Sequence, residues 1–366
     1  MMGYHKENNG NTNKTGGKAG LFLILLFLLV FMIVVSIRAG YTEISMSDLL
    51  RILSGGGNSK ENLILYEFRL PRIVLAILVG IGFSLSGCIL QGATRNPMAD
   101  PGLLGINSGA GIVVVLFMTL YGTLTRSATF ALPFFSLLGA LAVSWVIYLL
   151  SNRRGIGLHP VRLVLNGVAI QSGINALMTV IILKLDSTQI DFIAVWQAGS
   201  IWNANWGLVA SLLPWIILGG LYIAGKTREL DILGMGDTMA IGLGVTVEKV
   251  KKHLLFVAVA LAAASVTTSG SLHFIGLLGP HLARKLVGNR HRYLLPMCSL
   301  TGALLVLIAD TIGRTVIQPG EIPAGIVAAM IGAPYFIILM IGKGNGGRRN
   351  GAKHLRSRRA ASGGKL

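Results

Sequence analysis

The 366-residue sequence is 53% hydrophobic and only 13% charged, with 48 glycines and a mean hydropathy of +0.69. A soluble domain carries about 25% charged residues. Charge this sparse, joined to repeated apolar runs of bilayer length, excludes a water-soluble globule and describes a polytopic membrane protein. The net charge of +18 would suit nucleic acid, but its distribution along the chain excludes that partner.

Residues 1–20, rich in Asn, Gly and Lys, read as a disordered tail. Leu21–Ile37 is the first apolar run, and no small-x-small cleavage site follows it convincingly, so it reads as an uncleaved span. Ten spans follow from hydropathy, at about 21–38, 70–91, 103–121, 128–150, 161–183, 207–225, 252–269, 274–288, 293–312 and 324–342. The eighth, "FIGLLGPHLARKLVG", is short and glycine-rich. The chain thus divides into a tail (1–20), a transmembrane domain (21–342) and a basic tail (343–366). Cys88 and Cys298 both lie inside apolar runs, where they staple no loop and imply no metal or redox chemistry.

With both termini placed in the cytoplasm, 24 of the 32 Lys and Arg fall inside and 8 outside, while acidic residues split 6 and 8. The inside then carries the whole positive excess, as the positive-inside rule requires. Such asymmetry reflects membrane insertion and attraction to anionic lipid, not a nucleic-acid surface. The tail "GKGNGGRRNGAKHLRSRR" is its largest piece and reads as solvated and lipid-facing.

Three outer cations are not needed for orientation. Arg69 and Arg72 flank Pro71 in "LILYEFRLPRIVLAILVG" (63–80), and Arg314 ends "ADTIGR". On spacing alone they either bind an acidic partner or snorkel to the interface, Asp310 being a helix-face partner for Arg314. Gln171 and Asn175, four apart in the fifth span, share a face. They serve either a polar pathway or interhelical hydrogen bonds.

"PFFSLLGAL" (133–141) and "PMCSLTGAL" (296–304) repeat one pattern 163 residues apart, and "SG" recurs at 86–87 and 269–270. The matched spans run in opposite directions, which points to an inverted repeat of spans 2–5 and 7–10, a transporter architecture. "GLYIAGKT" (Gly220–Thr227) matches a phosphate-loop pattern letter for letter. That mechanism needs a strand, a flexible loop of free amides and a helix. Here the segment ends an apolar run, so it is rejected.

Four stretches carry a resemblance: "RLPRIVLAILVGIGFSLSGCILQGATRNPMADPGLLGINSGAG" (69–111), "RELDILGMGDTMAIGLGV" (228–245), "SGSLHFIGLLGPHLARKLVGNRHRYLLP" (269–296) and "GALLVLIADTIGRTVIQPGEIPAGIVAAMIGAPYFIILM" (302–340). Together they resemble the permease subunits of the iron-siderophore and vitamin B12 (FecCD-type) family of binding-protein-dependent ABC importers. The resemblance implies an all-α fold of ten transmembrane helices in a bacterial cell membrane. It also implies two cytoplasmic ATPase subunits, a second permease subunit (identical or a paralogue) and an extracytoplasmic binding protein. Arg69, Arg72 and Arg314 would dock that protein's glutamates, so that Arg69→Glu with Arg72→Glu would abolish uptake and leave insertion intact. The segment holding Leu233, Gly234, Asp237, Ala240, Gly242 and Gly244 would couple to the ATPase. Asp237, where the family often has Glu, would cap its short helix. Asn96 and Met98, projecting from the Pro97–Pro101 turn, would form a cytoplasmic gate. The facing turn "GIGLHP" (155–160) departs from the family pattern, and His159 reads as a loop histidine.

The expected activity is transport of an iron–siderophore complex, with vitamin B12 or haem as the alternative substrate. An ion-driven secondary transporter would need buried coupling charges, and only Asp310 and His281 qualify. No paired carboxylate, His-Glu cluster or Ser/His set marks an enzyme. No cofactor or metal site is expected.

Overall fold

The computed structural model describes residues 12–40, 44–121, 126–153, 157–158, 160–201, 203–317 and 320–338. In chain order these form α1 (Thr12–Arg38), α2 (Met46–Arg51), α3 (Ser59–Asn62), α4 (Leu70–Thr94), α5 (Ile106–Tyr121), α6 (Arg126–Ser151) and α7 (Pro160–Ile182). There follow α8 (Ser187–Gln197), α9 (Trp206–Gly225), α10 (Thr227–Gly234), α11 (Asp237–Gly242), α12 (Val247–Ser269), α13 (Ile275–Val287), α14 (His291–Val316) and α15 (Ala324–Ile338). Among the described residues, extended pairing is limited to Asn152–Arg153 against Gly157–Leu158. Residues 1–328 form one compact unit and 329–366 a second, whose described part is the end of α15.

Among the described residues, seven helices are long and apolar enough to cross a membrane. The other three predicted spans are the shorter helices α5, α13 and α15, with α13 only 13 residues long. At 1.5 Å per residue α13 measures about 20 Å, less than the ~30 Å hydrocarbon core. Helix α1 begins at Thr12, so residues 12–20, expected to be disordered, are helical. Once the apolar run nucleates a helix, each added residue gains a hydrogen bond without a new nucleation cost, and the polar leader is drawn in.

The core helix is α4. Its most apolar window is 83% buried inside the protein, against 17% for α1, which presents its sides to lipid. Small residues allow this. A Cβ on Gly87 would overlap the Gly276 carbonyl of α13, and one on Gly80 would overlap the Gly302 carbonyl of α14. Close backbone approach of this kind drives helix association where lipid is as apolar as leucine. Buried hydroxyls add cross-links: Ser84 Oγ donates to Cys298 O (2.7 Å) and Ser86 Oγ to Ala258 O (2.5 Å). Both cysteines are buried.

Exchanging α4 with α12, α5 with α13 and α6 with α14 maps the packing pattern onto itself. Helix α4 packs on α13 and α14, and α12 packs on α5 and α6. The short helices α5 and α13 each pack on the long helix that follows them. Each half also breaks at the same place. Helix α4 ends at left-handed Arg95 (φ 53°) and α5 starts after left-handed Gly105 (φ 74°). Helix α12 ends at Gly270 (φ 67°) and α13 starts after Phe274 (φ 68°). Within the repeated motif, Gly139 lies against Gly109 of α5, whereas Gly302 lies against Gly80 of α4, with its Cα 3.7 Å from the Cβ position that Gly279 of α13 lacks.

Gly87→Ala should lower the thermal unfolding midpoint of detergent-purified protein, since overpacking costs about 1–3 kcal/mol and here the obstacle is backbone. Gly220→Ala, on a face of α9 with open space, should leave the midpoint unchanged or slightly raised. Equal behaviour of the two variants would contradict the close α4–α13 crossing.

Candidate functional site

The arginines sit where the chain enters α4 and leaves α14. Helical turns of wide pitch over Leu63–Arg69 lead into α4, with Pro71 in its first turn, where a missing N–H costs nothing. This delivers Arg69 to the end of α1. The last carbonyls of α1 have no intrahelical partner and carry the negative end of the helix dipole. Arg69 Nη1 donates to Ile37 O, Arg314 Nη2 to Ser36 O and Oγ, and Arg314 Nη1 to Ala39 O (2.7 Å). Arg69 is 7% exposed and Arg314 8%.

Arg72 turns the other way. Its Nε and Nη2 donate to Asp310 Oδ1 (3.0 and 2.8 Å), and Nη1 and Nη2 donate to Glu321 Oε1 and Oε2 (3.0 and 2.8 Å). The Arg72 side chain is 14% exposed, Asp310 1% and Glu321 33%. The expected Asp310–Arg314 pair is present at 3.6 Å. The structure therefore brings all three predicted arginines together, but into internal bonds rather than onto an open surface. Sequence reading missed Ser36, on a helix far away in the chain, and Glu321, inside "QPGEIPAG".

Gln171 and Asn175 share a polar cavity of ≈250 Å³ with Asp100, Asn107, Ser271 and His273. The two segments that interrupt the helices, 95–105, which holds a 3-10 turn at Pro101–Leu104, and 270–274, both reach this cavity, and Pro101 Cδ lies 2.6 Å from the Cβ position Gly276 lacks. Gln171 Nε2 donates to Gly102 O, and Asp100 Oδ2 accepts from Gly102 N (2.9 Å). One side of the pair thus makes an inter-segment hydrogen bond while both line a cavity. Of the expected gate residues, Met98 projects at 36% exposure. Asn96 does not project. Its Oδ1 accepts from Met98 N (3.0 Å), because a short amide side chain closes a turn locally more readily than it reaches outward. His159 lies outside the described residues.

The segment from α10 to α11 corrects two expectations. Asp237 makes no capping bond; the N-cap position is Gly236, at φ 114°. Its carboxylate instead accepts from Lys251 Nζ of α12 (2.9 Å) and pairs with Arg95 Nη2 at the end of α4 (3.1 Å). Two nearby cations outcompete one backbone N–H, since charge-assisted bonds are the stronger. Leu233 and Ala240 are fully buried and face inward. Met235, Met239, Ile241 and Leu243, not singled out from sequence, are 59–65% exposed. Cβ atoms added at Gly234, Gly242 or Gly244 would meet open space.

Further bonds brace the segment. Asp231 accepts from the His291 backbone N–H that opens α14 (2.9 Å). Glu229 accepts from Lys226 Nζ (2.7 Å), which raises that ammonium's pKa. Gly220–Gly225 lies within α9 and Thr227 opens α10, so the phosphate-loop lookalike is helical, as its rejection required.

An almost wholly helical, multi-pass protein built on broken helices has the architecture of a membrane transporter. The FecCD transport family matches residues 28–342. The chain is 42% identical over 332 residues to an iron(3+)-hydroxamate import system permease protein, FhuG, of Bacillus subtilis, covering 90% of this chain and 98% of that one. It is 38% identical over 324 residues to a hemin transport system permease protein, HmuU, of Yersinia pestis, covering 87% and 95%. A solved structure described as an inward-facing conformation of a metal-chelate type ABC transporter superposes with a TM-score of 0.78 at 28% identity, covering 88% and 99%. The chain belongs to the FecCD transport family.

Proposed function

We propose that this permease carries a ferric siderophore of the hydroxamate kind inward, driven by two cytoplasmic ATPase subunits and supplied by an external binding protein. It does so beside a second permease subunit, with both of its termini in the cytoplasm. The observation that carries the ATP-driven reading is the α10–α11 segment. It offers four exposed apolar side chains and open glycines as a platform for another protein, and the Asp237–Arg95 bridge ties that platform to the turn bearing Asn96 and Met98. Movement of the platform would reach the gate turn through one ion pair. Gln171 and Asn175 line the candidate pathway.

The hydroxamate substrate rests on the relative FhuG, and haem, on the relative HmuU, is the second reading. Docking of the binding protein is proposed to work by exchange. Glu321, the most exposed acid in the arginine cluster, would yield Arg72 to a carboxylate of the incoming protein. Charge complementarity there sets register and association rate more than affinity.

Uptake of labelled ferric hydroxamate, haem and cobalamin should be compared in cells with and without the gene. Loss of the hydroxamate signal alone is expected. Loss of haem uptake alone would reassign the substrate and keep the permease. Retention of all three signals would overturn the transport assignment for these chelates.

A further inference from the structure

The geometry points to a binding site for an anionic phospholipid in a groove between α6 and α12, away from the polar cavity. The groove encloses ≈570 Å³ and is lined almost wholly by apolar side chains, with Lys252 and His253 at one end. Its polar end coincides with a boundary in the sequence of α12. That helix opens with "VEKVKKH" (247–253) and continues with "LLFVAVALAAASV". Lys252 and His253 therefore stand at headgroup level and Val259 within the hydrocarbon, whichever face of the membrane this is.

Length fits one leaflet. From Tyr148 to Leu138 along α6, ten residues span about 15 Å, and from Lys252 to Val259 along α12 about 10 Å. A leaflet is about half of the ~30 Å hydrocarbon core. Tyr148 stacks on Trp145 near the polar end, with centroids 5.6 Å apart. Amphipathic aromatics favour this depth. Leu138, Trp145 and Phe256 border the opening and are 47–61% exposed, so the groove opens sideways, where acyl chains are.

Charge selects the headgroup. Of the cations in the first turns of α12, Lys251 is committed to Asp237. Lys249 and Lys252 are exposed, with Glu248 as the acid beside them. Lys252 lines the groove itself and Glu248 and Lys249, one turn before it, offset each other, so a single positive charge faces a phosphate, with His253 adding a donor. A zwitterionic lipid fits the groove equally well but gains less from the rim. A basic recess between helices is a physical basis for selecting acidic headgroups.

The test uses the full chain in phosphatidylcholine nanodiscs containing increasing fractions of lipid with brominated acyl chains. Bromine quenches tryptophan on contact, and the difference between wild type and Trp145→Phe isolates the groove signal from the other four tryptophans. We expect brominated phosphatidylglycerol to reach half-quenching at about fivefold lower mole fraction than brominated phosphatidylcholine, the preference one lysine provides near an anionic lipid surface. Lys252→Gln, at an exposed position, should bring the ratio towards one, and 1 M salt should do the same in the unmutated protein. Equal half-quenching by both lipids in wild type would overturn the site. So would a Trp145 signal silent to both, which would mean that a second protein surface covers the groove.

Discussion

Asp310→Ala should deplete the folded permease from the membrane. Asp310 is 1% exposed and neutralises Arg72, itself 14% exposed, while also lying 3.6 Å from Arg314. Removing one partner of a buried pair strands the other charge and costs about 3–5 kcal/mol, a large fraction of the ~5–15 kcal/mol that holds a typical protein folded. Immunoblots of membrane fractions and the unfolding midpoint of purified protein would register the loss. Arg72→Ala should behave similarly, and Arg72→Met with Asp310→Leu together should recover part of the protein, because the most buried pair is replaced by apolar groups while Arg314 keeps its carbonyl partners at the end of α1 and Glu321 is one-third exposed. Full accumulation of Asp310→Ala would show that the cluster is not structural.

The same geometry changes how docking can be tested. Reversing Arg69 and Arg72 to glutamate sets one carboxylate against the terminal carbonyls of α1 and another against Asp310. Uptake would fall, but with the protein rather than with docking. Glu321→Gln is the cleaner variant. Glu321 is one-third exposed and Asp310 still holds Arg72, so accumulation should stay normal. Association of the binding protein should then quicken at low salt, because one competing anion is gone. An unchanged rate would count against the exchange proposal.

The second large effect belongs to α11. Met239→Glu with Ile241→Glu should abolish co-purification of the ATPase subunits while leaving the permease folded, since these side chains are 61% and 65% exposed. Loss of an apolar anchor at the centre of an interface costs 2 kcal/mol or more, about 30-fold in affinity for each such residue. Asp237→Asn should act differently. The platform remains, so the ATPase still binds, but the bridges to Arg95 and Lys251 weaken. Hydrolysis should persist with transport reduced. Normal transport by Asp237→Asn would remove the ion pair from the coupling path, and normal ATPase binding by the double glutamate variant would move the platform elsewhere.

The membrane class, most of the helix positions, the place of both cysteines within spans and the internal repeat were legible in the residues. All of these are properties of local hydropathy or of a periodic pattern, and the bilayer enforces hydropathy directly. The position of the α10–α11 segment was also legible, but the face it exposes was not. Small and acidic residues drew attention in the sequence, whereas the fold buries Ala240, pairs Asp237 inward and exposes Met239 and Ile241. Which side of a six-residue helix faces out depends on what packs behind it, and periodicity over so few residues cannot fix that.

The arginines show the same division more sharply. Their place at one end of two spans follows from the sequence. Apart from Asp310 for Arg314, their partners do not: Ser36, Ile37 and Ala39 lie some 30 residues before Arg69 and about 275 before Arg314, and Glu321 lies 249 residues after Arg72. Only the folding of α1, α4 and α14 to a common end brings three guanidinium groups to unpaired carbonyls and two carboxylates. A charge in a sequence states what must be neutralised, and the tertiary structure decides by what.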